Sequence, residues 1–261
     1  NTAGLRELQE EQALRRLLRT LAAHGVFSED AQGRFALNAA ASLLRQGVMR
    51  DGVLLCGEVT GDGSWWNAVG ALGKSVTSGE PAFERQHGMG FFDYMRTRPD
   101  CAAWFDRGMA TFAAAENPAV AAAYDFGGIE HVVDIGGGQG GLLAQILERN
   151  AALRATLFDL PHVVAEPADL RACAAANGRW KTIAGDFFDA VPPGADTYIV
   201  KRIVHDWDDD ACVRLLGRCR EAMKGSSRLL IVDAVVPPGN EPHPAKVMDI
   251  LMMVFAGGRE R

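Results

Sequence analysis

The segment DTYIVKRIVHDWDDD, residues 196–210, takes an apolar, β-prone run to Lys201 and Arg202, then sets His205 before a Trp-bearing acidic stretch. An imidazole titrates near neutral pH, so one at a strand end could take a proton from a substrate. A lone histidine there reads as a satisfied structural residue, and its company decides. Upstream, VVDIGGGQGG places Gly136, Gly137, Gly138, Gly140 and Gly141 between a strand and a helix. Glycines let the backbone approach a ligand, and a helix start offers free N–H groups. Gly136, Gly138 and Gly141 also satisfy G-x-G-x-x-G, and Asp159, ending the next strand in LFDLP, sits where a carboxylate would accept from ribose hydroxyls. These two features fit a nicotinamide dehydrogenase and a methyltransferase equally.

A third feature separates them. AGDFF puts Asp186 and Phe187 at the end of the third strand, where an acid beside an aromatic ring can hold an adenine. Lys201, ending the fourth, is a candidate partner for a cofactor carboxylate. The loop preceded by Asp134, together with GDFF, favours S-adenosylmethionine over a dinucleotide, and no second nucleotide-binding half follows.

The elements that must position these residues are legible from about Gly128 onward. HVVDI, RATLFDLP, RWKTIAGDFF, TYIVK and SRLLIVDAVV read as strands; LLAQILERN, DLRACAAANG and DDDACVRLLGRCREAM read as helices. Alternation of this kind predicts an α/β fold, a Rossmann-like doubly wound parallel sheet, with ligands beyond the carboxyl ends of its strands. Residues 42–125 read as mostly helical and aromatic, broken at Pro99. At the start, Leu14, Leu17, Leu18 and Leu21 predict an amphipathic helix closed by Gly25. Val26–Phe27 and Phe35–Leu37 predict a hairpin, so the outline is a winged helix. Arg15, Arg16 and Arg19 would be its DNA-facing residues, but a scaffold role fits the acidic chain better.

The net charge of −6 over 261 residues argues against a broad nucleic-acid footprint. No apolar run is long enough for a membrane span and no signal peptide is visible, so a cytoplasmic protein is expected. Cys56, Cys101, Cys173, Cys212 and Cys219 are scattered without C-x-x-C and read as buried free thiols. No His/Asp/Glu group has metal-ligand spacing, so no metal is expected. The sequence opens at Asn1 without Met and stops at Arg261; it is expected to be part of a longer protein.

VVDIGGGQG, FDLPHVV, GDFF, VKRIVHDWDDD, IVDAVVPP and MDILMMVFAGGRER occur in order, preceded by PAFERQHGMGFFDYM. Together they resemble the class I S-adenosylmethionine-dependent O-methyltransferases of plant phenolic and bacterial polyketide pathways, over nearly the whole chain. The resemblance implies His205 as general base, flanked by Asp233 and Glu260. It implies a cofactor held by Gly136, Gly138, Asp159, Asp186, Phe187 and Lys201, and an acceptor pocket lined by Phe105, Met109 and Met252. It further implies residues 1–125 as a helical, winged-helix-like homodimerisation and substrate-wall domain, and 126–261 as the catalytic domain. Many members carry Glu where this chain has Asp233, and the family's chains extend beyond both ends of this one.

Methyl transfer from a sulfonium is an in-line displacement that needs a deprotonated, aligned acceptor. Phenols ionise near pH 10, so an imidazole base fits the task at neutral pH. The expected reaction is therefore O-methylation of a phenolic, polyketide-type intermediate. Alternatives are the same fold using S-adenosylmethionine without methyl transfer, a winged-helix regulator with a small-molecule domain, and a nicotinamide oxidoreductase. Asp206, Asp208, Asp209 and Asp210 are read as helix-start acids, Trp207 as packing, and the other histidines as structural.

Overall fold

The computed structural model describes residues 2–45, 50, 53 and 63–261, and the chain divides into two compact units, 1–53 and 54–261. Cys56 lies outside the described residues. In the first unit, helix α1 (Thr2–Ala23) ends where Gly25 adopts φ +80°. Strands β1 (Phe27–Glu29) and β2 (Phe35–Leu37) then pair antiparallel, Phe27 opposite Leu37. Asp30 fixes the turn by accepting from the backbone N–H groups of Gln32 and Arg34, both at 2.9 Å. Helix α2 (Ala39–Ser42) follows, capped by Asn38. This is the expected helix-then-hairpin outline, with the first strand displaced by one residue. Arg19 lies 3.7 Å from Glu29 and the Arg15 guanidinium stands 6.0 Å from the Phe35 ring, so both turn toward their own hairpin.

The second unit begins with helices α3 (Ser64–Gly70), α4 (Leu72–Ser78), α5 (Ala82–His87), α6 (Phe91–Thr97) and α7 (Pro99–Ala123). Pro99 is the first residue of α7, where its missing N–H would have had no partner in any case. It therefore separates two helices and breaks neither. The aromatic residues of this stretch close on one another: Phe83, Phe91, Tyr94 and Phe255 are buried in one cluster with Trp65 and Phe105 against it.

Five parallel strands form the sheet: β3 (His131–Ile135), β4 (Arg154–Asp159), β5 (Trp180–Ala184), β6 (Thr197–Lys201) and β7 (Arg228–Val232), in the order β5-β4-β3-β6-β7. Side chains alternate between its faces, as the strand period requires. Val132 and Ile199 pack with Leu143, Ile146 and Leu147 of α8 (Gly141–Arg149). Val133, Ile135, Tyr198 and Val200 pack with Leu215 and Cys219 of α11 (Asp209–Ala222) on the other face. Each such fully buried side chain contributes about 1.5–3 kcal/mol of transfer free energy. After β4 come α9 (Pro161–Val164) and α10 (Ala168–Ala172). The single helix expected over DLRACAAANG is broken after Ala172, and the Ala175 carbonyl goes instead to the Arg179 guanidinium at 2.5 Å. Helix α12 (Pro244–Phe255), capped by the His243 ring, closes the aromatic cluster. Among the described residues, no helix is long and apolar enough to cross a membrane.

Candidate active site

Because all five strands run parallel, Gly136, Asp159, Asp186, Lys201 and Asp233 follow their ends along one edge of the sheet. The strand order reverses between β3 and β6, which makes the crevice beyond that pair the expected ligand position. The glycine loop borders it. Gly136, at φ +68°, lies so close to the Ile203 side chain that a Cβ would overlap it. Gly138, at φ +58°, has open space where a side chain would stand. Its N–H donates to Asp159 Oδ2 at 2.9 Å, while Leu160 N–H donates to Oδ1 at 2.7 Å. Burial still pushes the Asp159 carboxyl above its usual range. Asp134, buried beneath the loop, is pushed up to about 7 by burial, with Lys201 opposing the rise and the Asp159 charge adding to it. Asp106 on α7 rises to about 6, through burial and then the charge of Asp159.

Asp186 folds its turn by accepting from Phe188 N–H at 2.8 Å. The Phe187 ring lies beside Gly136 and edge-on to Phe188, centroids 4.8 Å apart. Gly136, Gly138, Asp159 and Phe187 thus border one space. Lys201 is differently engaged: its Nζ is 3.2 Å from Glu116 on α7.

His205 sits in a single tight helical turn, Val204–Asp206, and is 8% exposed. Its Nδ1 lies 2.9 Å from Glu260 Oε1 and 3.7 Å from Asp233 Oδ1, and its Nε2 lies 3.5 Å from Asp206 Oδ1. Two glycines deliver Glu260. Gly257 turns left-handed at φ +74° after α12, and Gly258 passes so near the His205 carbonyl that no Cβ would fit. Arg259 and Arg261 then grip Asp209 at 2.6 and 2.7 Å, and Arg261 also donates to the Val204 and Trp207 carbonyls. Glu260, between them, points inward and is buried. Both Asp233 oxygens and Glu260 Oε2 are buried without a hydrogen-bond partner among the described residues. Burial raises the Asp233 carboxyl, and the Glu260 charge raises it further against His205 and Arg202. Asp206 rises to about 7, by burial and by the Asp233 and Glu260 charges, against His205.

The acceptor-side residues lie on two helices. Phe105 packs 5.4 Å from Phe91 and 6.0 Å from Trp65, while Met109 farther along α7 is 36% exposed. Met252 is half-buried on α12. Trp207 does more than fill space: it stacks on Phe92 at 5.4 Å and meets Phe188 edge-on at 4.7 Å. An aromatic wall therefore runs from the helical cluster to the turn after β5.

His205, Asp233 and Glu260, far apart in sequence, bring side-chain nitrogen and oxygen atoms within 4.8 Å of one another. Two features differ from the expectations. Asp208 caps α11 through Ala211 N–H, and Asp209 and Asp210 fill its first turn, but Asp206 faces the imidazole and belongs to the site. Arg202 and Glu116, not singled out from sequence, pair at 2.5 Å beside Glu260. The signal that could have found Arg202 was its place directly after the strand-ending Lys201.

A family described as the O-methyltransferase domain matches residues 69–261. The phenazine O-methyltransferase PhzM of Lysobacter antibioticus is 38% identical over 251 residues, covering 95% of this chain and 72% of the relative. The mitomycin biosynthesis 6-O-methyltransferase of Streptomyces lavendulae is 38% identical over 260 residues, 96% of this chain and 72% of the relative. Among solved structures, the O-methyltransferase NcsB1 from neocarzinostatin biosynthesis, in complex with S-adenosyl-L-homocysteine and 1,4-dihydroxy-2-naphthoic acid, superposes with a TM-score of 0.79 at 31% identity, over 96% of this chain and 75% of that one. With its glycine loop and buried histidine at one edge of a doubly wound sheet, the chain belongs to the O-methyltransferase domain family and is an S-adenosylmethionine-dependent methyltransferase.

Proposed function

We propose that this enzyme methylates a hydroxyl group on a flat aromatic intermediate of natural-product type, with His205 as the general base. The hydrogen bond between His205 Nδ1 and the buried Glu260 carboxylate carries the reading. A carboxylate on Nδ1 fixes the ring tautomer with its proton there and leaves Nε2 to take the acceptor's proton. The positive charge formed on the ring is then balanced by Glu260 and Asp233. When bound, S-adenosylmethionine supplies an electrophilic methyl group. For its holding we assign the Gly136–Gly138 loop, Asp159 to the ribose, Asp186 and Phe187 to the adenine, and Lys201 to the carboxylate. The open space over Gly138, whose N–H holds the Asp159 carboxylate, fits such a ligand. Lys201 would then divide its charge between the ligand and Glu116.

Phe105, Met109 and Met252 are assigned to the acceptor wall, continued by Phe92 and Trp207. Flat apolar rings suit such a surface, and the relatives named above are a phenazine O-methyltransferase, a mitomycin-biosynthesis O-methyltransferase and an O-methyltransferase in complex with a dihydroxynaphthoic acid. Residues 1–125 are read as a homodimerisation and substrate-wall region and 126–261 as the catalytic region. The test is calorimetric titration with S-adenosylhomocysteine, with Asp159→Ala as control, followed by methylation of 1,4-dihydroxy-2-naphthoic acid and other phenols. Binding lost in Asp159→Ala, and turnover reduced about 100- to 10,000-fold in His205→Ala, are expected. A folded parent that does not bind the homocysteine product would overturn the assignment.

A further inference from the structure

Glu116, Arg202 and Glu260 are distant in sequence and meet in a line that ends on His205. Arg202 follows β6 and adopts φ +57°, the one non-glycine residue with positive φ among those described. That conformation is disfavoured for a side chain of this kind, and it aims the guanidinium between two acids. On one side, Arg202 Nη2 lies 2.5 Å from Glu116 Oε1 and Nε lies 3.4 Å from Oε2, a forked pair that anchors it to α7. On the other, Nη1 lies 3.6 Å from Glu260 Oε1, the same oxygen that meets His205 Nδ1 at 2.9 Å. Burial works against the Glu116 carboxylate, but Arg202 and Lys201 together hold it below its usual range.

The charges facing His205 are otherwise acidic: Asp206 from its own turn, Asp233 after β7 and Glu260 after α12. Asp249 of α12 accepts from the Glu260 backbone N–H. The neighbouring cations point elsewhere, Lys201 to Glu116 and Arg259 and Arg261 to Asp209. As these acids ionise, each favours the charged form of the imidazole, and an imidazolium cannot accept the acceptor's proton. A guanidinium beside the same carboxylates opposes that effect.

We propose that Arg202, held by Glu116, is a positioning residue that fixes Glu260 against His205 and offsets the surrounding carboxylates, so that the imidazole remains a proton acceptor at neutral pH. This rests on the reading of His205 as the base.

The test uses the full chain saturated with S-adenosylhomocysteine and follows the imidazole NMR signals of His205 against pH, assigned by their loss in His205→Ala. Arg202→Gly removes the guanidinium at a position whose φ glycine adopts freely; Arg202→Asn, also tolerant of that φ, serves if the glycine variant melts early. The pH at which the signals change should rise by about one unit in either variant and return toward the parent value in Arg202→Lys. The acid limb of 1,4-dihydroxy-2-naphthoic acid methylation should move with it. Signals changing at the same pH in parent and Arg202→Gly would overturn the proposal while leaving the base in place. Undiminished methylation by His205→Ala would remove the base reading and the proposal with it.

Discussion

The carboxylate beneath the glycine loop shows how this site treats acid at the level of one residue. Asp134 is 2% exposed, and burial above all pushes its carboxyl up to about 7. Its folded value lies above the unfolded one, so between about pH 4 and 7 the folded state binds the extra proton. Stability is therefore lost as pH rises through that window and does not return above it. Asp134→Asn, which cannot ionise, should melt at higher temperature than the parent at pH 8 and at nearly the same temperature at pH 4. Thermal unfolding followed by circular dichroism at the two values checks this; equal differences at both would show that the charge is not the cause.

At the scale of elements, the end of α8 is tied to the turns around it by one cation that motif reading passes over. Arg179, just before β5, donates to the carbonyls of Leu147 and Asn150 at 2.8 Å, Leu153 at 3.0 Å and Ala175 at 2.5 Å. It thus satisfies the open end of α8 and complements its dipole. Arg179→Ala should lower unfolding free energy by about 2–3 kcal/mol, read as a lower urea midpoint with an unchanged slope. The strands themselves were legible in the sequence, because apolar runs such as HVVDI and TYIVK are bounded by turns and buried on both faces. So were His205 and the glycine loop, whose residue types already limit their chemistry. Arg202, Glu116 and Asp206 were not. Arg202 depends on a backbone angle and two long-range partners, Glu116 lies in an Ala-rich helix without local punctuation, and Asp206 is hidden in a run whose other acids do serve the helix start. Pro99 was legible as well: the helical stretch is interrupted there, α6 ending at Thr97 and α7 opening at Pro99.

For the whole molecule, the two compact units and the −6 charge bear on assembly. Leu14 and Leu17 on α1, and Trp66 and Val76 in the helical part of the second unit, are more than half exposed. The homodimer proposed above would cover apolar surface of this kind; sedimentation of the full chain should give twice the monomer mass, and a monomer at micromolar concentration would count against it.

The order in which the polypeptide supplies its functional groups has a consequence of its own. Every residue assigned to the cofactor has been made by Lys201, whereas the acid that orients the histidine arrives only at Glu260, folded back by Gly257 and Gly258. A nascent chain, or one nicked by a protease just beyond Phe255, would still carry every group assigned to its donor molecule, and His205 itself, yet lack the acid that orients that base. Capture and the setting of the base are therefore written into separate stretches of the message.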